Sequence, residues 1–124
     1  GRKTLQMLGA LQREGRFIDF LMEDLDGAQG ADIGVAARVV HSGCRKVIQG
    51  YLTIEPIWPA EEGARVTVDE GFDPQRVQLT GNVVGSPPFS GCLQHRGWHA
   101  STVNLPDLSE DSDPTILAPA EIEL

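Results

Sequence analysis

Residues 32–52 read DIGVAARVVHSGCRKVIQGYL, and the apolar positions in this stretch decide how the rest of the chain is read. Ile33, Ala37, Val40, Cys44, Val47 and Tyr51 recur at spacings of 4, 3, 4, 3 and 4, which puts them on one face of a helix. Arg38, Ser42, Arg45 and Gln49 fall on the opposite side. Asp32 either caps the helix or places a carboxylate in its first turn, where the macrodipole favours negative charge. The expectation is one helix over about 32–52, closed off by Pro56 and Pro59.

Upstream the same period continues. Leu8, Leu11, Gly15, Ile18, Met22 and Leu25, spaced 3, 4, 3, 4 and 3, predict a helix over about 4–25. Met7, Phe17 and Leu21 widen its apolar stripe, which implies cover on more than one side. Gly9 and Gly15 each cost about 1 kcal/mol against alanine in a helix interior. Glycines there point to close approach of a neighbouring backbone or to a kink. Asp26-Gly27 ends the element, and the short loop that follows makes the two helices an antiparallel pair.

Downstream the period changes to two. Strands are expected over about 65–68, 76–84, 89–95 and 98–105, with a turn at Gly71–Pro74 and a hairpin between the last two strands about Arg96-Gly97. Gly81 inside the second strand implies a bulge or tight bend. The fold class is therefore α+β: an N-terminal antiparallel helical hairpin, then a four- to five-stranded antiparallel sheet or half-barrel that the helices cover. Residues 1–106 read as one domain, and 107–124 as an acidic tail. By composition that tail reads as flexible; Ala120–Leu124 alternates as an edge strand does, which sets beside it an equal alternative, docking on its own domain or on another chain, a second copy included, by strand addition.

Charge narrows the function classes. The chain of 124 residues has a formal charge of −8. Six acids and no base lie in residues 107–124, and the other 106 residues carry 12 acids against 10 bases. A nearly neutral body with an acidic tail lacks the concentrated basic face that phosphate backbones require, so nucleic acid is not an expected partner. No run of 18 apolar residues is present to span a bilayer, and no signal peptide is visible. The absence of an initiator Met reads as a piece of a longer chain. Two cysteines do not make a disulfide scaffold, and reduced thiols in a cytosolic setting are the expectation.

The sharpest chemical pattern is a mirrored one, His41-x-x-Cys44 and Cys92-x-x-His95. Two Cys and two His suit a structural zinc. On a helix, His41 and Cys44 share a face; on a regular strand, Cys92 and His95 point apart. Cys44 also sits on the apolar seam, where a thiol behaves as a small hydrophobe. The favoured reading is packing, with a zinc-stabilised domain as the alternative. A thiol enzyme using Cys44 with His41 is the weaker second alternative, since mid-helix placement supplies no free N–H groups for an oxyanion. Neither a P-loop, a dinucleotide fingerprint nor an HExxH motif occurs, so no cofactor and no enzymatic activity are expected. Candidate binding residues are His95, Arg96 and Trp98 at the expected hairpin tip, and Arg38 and Arg45 on the second helix, a basic strip able to receive an acidic segment. Arg and Trp are frequent interface anchors.

Several stretches, LQREGRFIDFLMEDL, ADIGVAARVVHSGCRKVI, LTIEP, EEGARVTV, GFDPQRVQLTGNVVGSPPFSGCLQHRGWHA and APAEIEL, together resemble a bacterial family known only as a domain of unknown function. HRGW following the GNVxGxPPF segment is the most specific part. The resemblance implies genes neighbouring those of Hsp70-like chaperones, and an upstream hydrophobic or amphipathic segment ahead of Gly1. It places Cys44 at a typical GCRK position and does not extend to Cys92. The resulting expectation is a cytoplasmic binding or adaptor module serving an Hsp70-like chaperone, associated with a membrane only through that upstream segment.

Overall fold

The computed structural model describes residues 1–124. Three helices precede four short strands: α1 (Arg2–Gly15), α2 (Phe17–Met22), α3 (Gly30–Tyr51), β1 (Leu52–Pro56), β2 (Arg65–Val68), β3 (Phe89–Cys92) and β4 (Trp98–Val103). The chain is α+β, as expected. It divides into two compact units, Gly1–Thr53 with Thr102–Leu124, and Ile54–Ser101.

In the first unit the expected helix over 4–25 is broken at Arg16, which takes a left-handed conformation with φ 52° and ψ 36°. A non-glycine residue there costs about 1–2 kcal/mol. Gln12 offsets that cost from outside the turn. Its Oε1 accepts hydrogen bonds from the N–H groups of Ile18 (2.9 Å) and Asp19 (3.1 Å), which begin α2 and have no partner within it. Its Nε2 donates to Asp19 Oδ2 at 2.9 Å, and Arg16 Nε donates to the same oxygen at 3.1 Å. The Gln12 hydrogen bond, with Arg16 second, holds the Asp19 carboxyl below the usual carboxylate range.

α3 runs close to its expected bounds and packs on α1 through glycines. A Cβ at Gly15 would lie 2.5 Å from Cys44 Sγ, and one at Gly43 would overlap the Glu14 carbonyl oxygen. Backbones approach this closely only where neither carries a side chain. Val47 of α3 and Ala10 of α1 are the buried apolar residues of this unit.

The C-terminal residues 107–124 form no strand. The tail instead passes along α1, where polar side chains reach its carbonyls. Arg2 Nη2 donates to Ser109 (3.4 Å), Gln6 Nε2 to Pro106 and Arg13 Nη1 to Leu117 (3.0 Å). A Cβ at Gly9 would meet the Leu117 oxygen at 3.1 Å. Main-chain carbonyls accept all three of these hydrogen bonds, and Arg38 and Arg45 take no part in them.

In the second unit β2 pairs with β3 antiparallel, Arg65 opposite Cys92 and Val68 opposite Phe89. Leu93 N–H to Ala64 (2.9 Å) and Gly63 N–H to Leu93 (2.8 Å) extend the ladder. Val68 is the buried apolar residue here. β1 pairs with β4 in a separate two-stranded sheet. The expected hairpin between 89–95 and 98–105 is therefore not formed. In its place, the N–H groups of Ile57 and Trp58 donate to the carbonyls of Gly97 (3.2 Å) and Arg96 (3.0 Å). Nor do residues 76–84 form a strand. Gly81 and Gly85, with φ of 79° and 82°, turn the chain out of an extended course, and β2 and β3 take each other as partners.

The whole chain exposes 9765 Å². By the scaling of area with mass, two compact bodies of these sizes would expose roughly 7,800 Å² even without touching each other. The chain thus exposes more surface than compact packing would leave.

Candidate functional site

The residues singled out from sequence fall in different places. Arg96 is half-buried and structural in effect: Nε donates to the Trp58 carbonyl (3.4 Å) and Nη2 to that of Pro59 (3.1 Å). Gly97 needs its positive φ of 71°, and its α-carbon faces the Ile57 side chain, which an added Cβ would meet at 3.1 Å. His95 is exposed, with Nδ1 4.0 Å from Glu62 Oε1. Trp98, at 68% exposure, also stands open to solvent and is the large apolar member of this cluster that does so. His95 and Arg96 border a hollow of about 480 Å³ in the second unit, whose apolar lining includes Val66, Val68, Val77 and Leu79.

No three His, Cys, Asp or Glu side chains form a group able to hold a metal ion. His41 and Cys44 belong to one unit and Cys92 and His95 to the other. Cys92 Sγ is 3.4 Å from the Gly63 carbonyl, which its thiol can reach as a donor. Cys44 Sγ lies 3.9 Å from the Leu11 carbonyl and against Gly15. Burial pushes the Cys44 thiol up, the opposite of what a nucleophilic thiolate needs. Its surroundings are those of a packing residue.

Arg38 and Arg45 are exposed on α3. Arg45 borders a shallow polar depression with His41, Ser42, Lys46 and Gln49. Lys46 Nζ approaches Glu14 Oε2 of α1 at 3.9 Å, a solvent-exposed pair that contributes little.

The feature that the sequence reading did not single out is apolar. α2, the loop after it and the first half of α3 surround a hollow of about 420 Å³ in the first unit. Phe20, Leu25, Ile33, Val35, Val39 and Val40 supply its apolar lining. Val35 and Val39 are 61% and 50% exposed, and Met22 of α2 is 81% exposed. The rim is charged: Asp19, Glu23, Asp24 and Asp32 against Arg16. Arg16 is already paired with Asp19 at 3.1 Å. The sequence carried a signal for this face. Val35 and Val39 sit four apart and off the seam that packs on α1, so α3 has apolar residues beyond one stripe.

No helix is long and apolar enough to cross a membrane. No curated protein and no solved structure matches the chain. A family model described as a domain of unknown function, DUF2760, matches residues 1–123, so the chain belongs to that family.

Proposed function

We propose that this member of the DUF2760 family is a non-enzymatic binding module, an accessory to a bacterial Hsp70-like chaperone. The observation that carries the binding role is the apolar face on α2 and the front of α3. Leu21, Met22, Leu25, Val35 and Val39 all stand exposed on or beside ordered helices. Each such side chain gains about 1.5–3 kcal/mol on full burial. Scattered exposed aliphatics are ordinary on a protein surface, but Leu25, Val35 and Val39 line one hollow. Contiguous patches of this kind mark interaction sites. The Cys44 environment supports packing over nucleophilic chemistry, and no three-ligand group supports the zinc reading. The chaperone as partner is supported by the family resemblance of the GNVVGSPPF and HRGW segments.

The test is a pull-down of the host's Hsp70-like chaperone on the immobilised protein, with ATP and with ADP. Retention in at least one nucleotide state, weakened by Val35→Ser with Val39→Ser, is the expected outcome. Failure to retain the chaperone in both states overturns the assignment of partner.

A further inference from the structure

We infer that the hollow between α2 and the front half of α3 receives a basic amphipathic helix of a partner protein, with aliphatic side chains seated in the hollow and Lys or Arg flanking them. The inference rests on the reading of the chain as a binding module and specifies what it binds. The apolar walls fit the spaced anchors of a helix laid in a groove, which come from positions i, i+3, i+4 and i+7. The rim then selects the charge of that helix. Four acids and one base line the hollow, a net of −3. The N-terminus of α3 adds about half a positive charge, too little to change the sign. Arg16 is already committed to Asp19, and Glu23, Asp24 and Asp32 face no basic side chain at ion-pair distance. Asp24 Oδ1 accepts the Asp26 N–H at 3.0 Å, a neutral partner that leaves its charge in place. Three carboxylates with no cationic partner beside an exposed apolar surface favour a cationic ligand and raise its rate of encounter.

The same charges argue against other occupants. The chain's own apolar end, Ala120–Leu124, carries Glu121 and Glu123 and lies in a tail without a single base. Like charges meeting across an interface are unfavourable, so a second copy docking by its tail is disfavoured here. An anionic lipid surface meets the same repulsion.

The test uses the full chain and two fluorescein-labelled helical peptides with leucines at i, i+3, i+4 and i+7. One has lysines on the flanking positions and the other has glutamates. By fluorescence anisotropy the lysine peptide is expected to bind about tenfold or more tightly than the glutamate peptide. That advantage shrinks as salt rises to about 1 M, where the screening length falls to about 3 Å. Val39→Ser, with circular dichroism unchanged, is expected to weaken lysine-peptide binding about tenfold, and Glu23→Gln with Asp24→Asn to remove the preference between peptides. Equal binding of the two peptides, no binding of the lysine peptide, or binding indifferent to Val39→Ser overturns the inference. So does concentration-dependent self-association lost in Val39→Ser, which assigns the hollow to a second copy, or Val39-dependent binding to phosphatidylserine vesicles, which assigns it to lipid. Lysine-peptide binding together with an empty chaperone pull-down removes the chaperone and keeps the groove; the reverse keeps the partner and removes this chemistry.

Discussion

The two halves of α3 have the same apolar period and opposite fates. From Gly43 to Tyr51 the helix is pressed against α1, with Val47 4% exposed and two glycines letting the backbones touch. From Ile33 to Val40 it is largely open, with Val35 and Val39 in solvent beside the hollow. Packing in the rear half is set by backbone proximity, which tolerates no added atom. Nothing in the front half is held that tightly. One helix thus combines a rigid anchor with an uncovered apolar face, which is how an ordered element can present surface for binding without unfolding.

The contrast breaks most severely at the glycine crossing. Gly43→Ala should lower stability by about 3 kcal/mol, the upper end of overpacking costs, because the obstacles are backbone atoms of Glu14 and Gly15 that cannot rotate away. The roughly 1 kcal/mol that alanine returns in helix propensity does not offset this. Urea unfolding followed by helical ellipticity measures it, and a loss under about 1 kcal/mol would mean that α1 and α3 separate freely. Next in size, Val47→Ala should cost about 2 kcal/mol in the same assay by leaving a cavity in the anchored half.

Cys44 offers a kinetic comparison. Its half-buried thiol, shifted up by desolvation and packed against Gly15, should react with a disulfide reagent at pH 8 about tenfold more slowly in the folded protein than in urea. Equal rates would show that the rear half opens readily. In the front half, Val39→Ser should change stability by no more than about 0.5 kcal/mol. A much larger loss would reveal packing around Val39 that its exposure denies.

The smallest effect lies at the break between α1 and α2. The folded carboxyl of Asp19 titrates lower than in the unfolded chain, so its stabilisation is complete above the unfolded value of about 4 and disappears as pH falls through the folded value. Asp19→Asn should therefore be slightly less stable than the parent protein at pH 7, with the deficit shrinking as the parent's carboxyl protonates in acid. A deficit that persists in acid would assign the effect to hydrogen-bond geometry instead of charge.

How much of this was readable depends on the range of the interactions. The bounds of α3 and the identity of its seam followed from local period, and Val47 and Cys44 lie where that period puts them. The strand at 65–68 was equally plain. The break at Arg16 was marked only in part: Gly15 offered a kink or a close backbone approach, and both occur there, but the left-handed arginine that makes the break depends on Gln12 folding back to α2. Within residues 76–84 Val77 and Leu79 are half-buried against exposed Gln78 and Thr80, as expected, but Val83, expected on the same face, is 49% exposed, and the segment makes no ladder. Alternation reports which side faces a core, whereas a strand also needs a partner edge. Leu52–Pro56 was passed over because Pro56 reads as a stop, although proline is admissible at the end of a strand.

The candidate site followed the same division. Arg96 and Trp98 were named from composition, and their neighbours then separated them into a clamp on residues 58–59 and an exposed ring. By itself the sequence determined the α+β class, the periodic face of α3 and the acidity of the tail, because each depends on residues close together in the chain or on composition. Only the tertiary structure decided which half of α3 is covered, that Gly15 meets Gly43, that β3 takes β2 as its partner, and that the tail lies along α1. Those outcomes depend on which distant backbones come within a few ångströms of each other, and no local period encodes that.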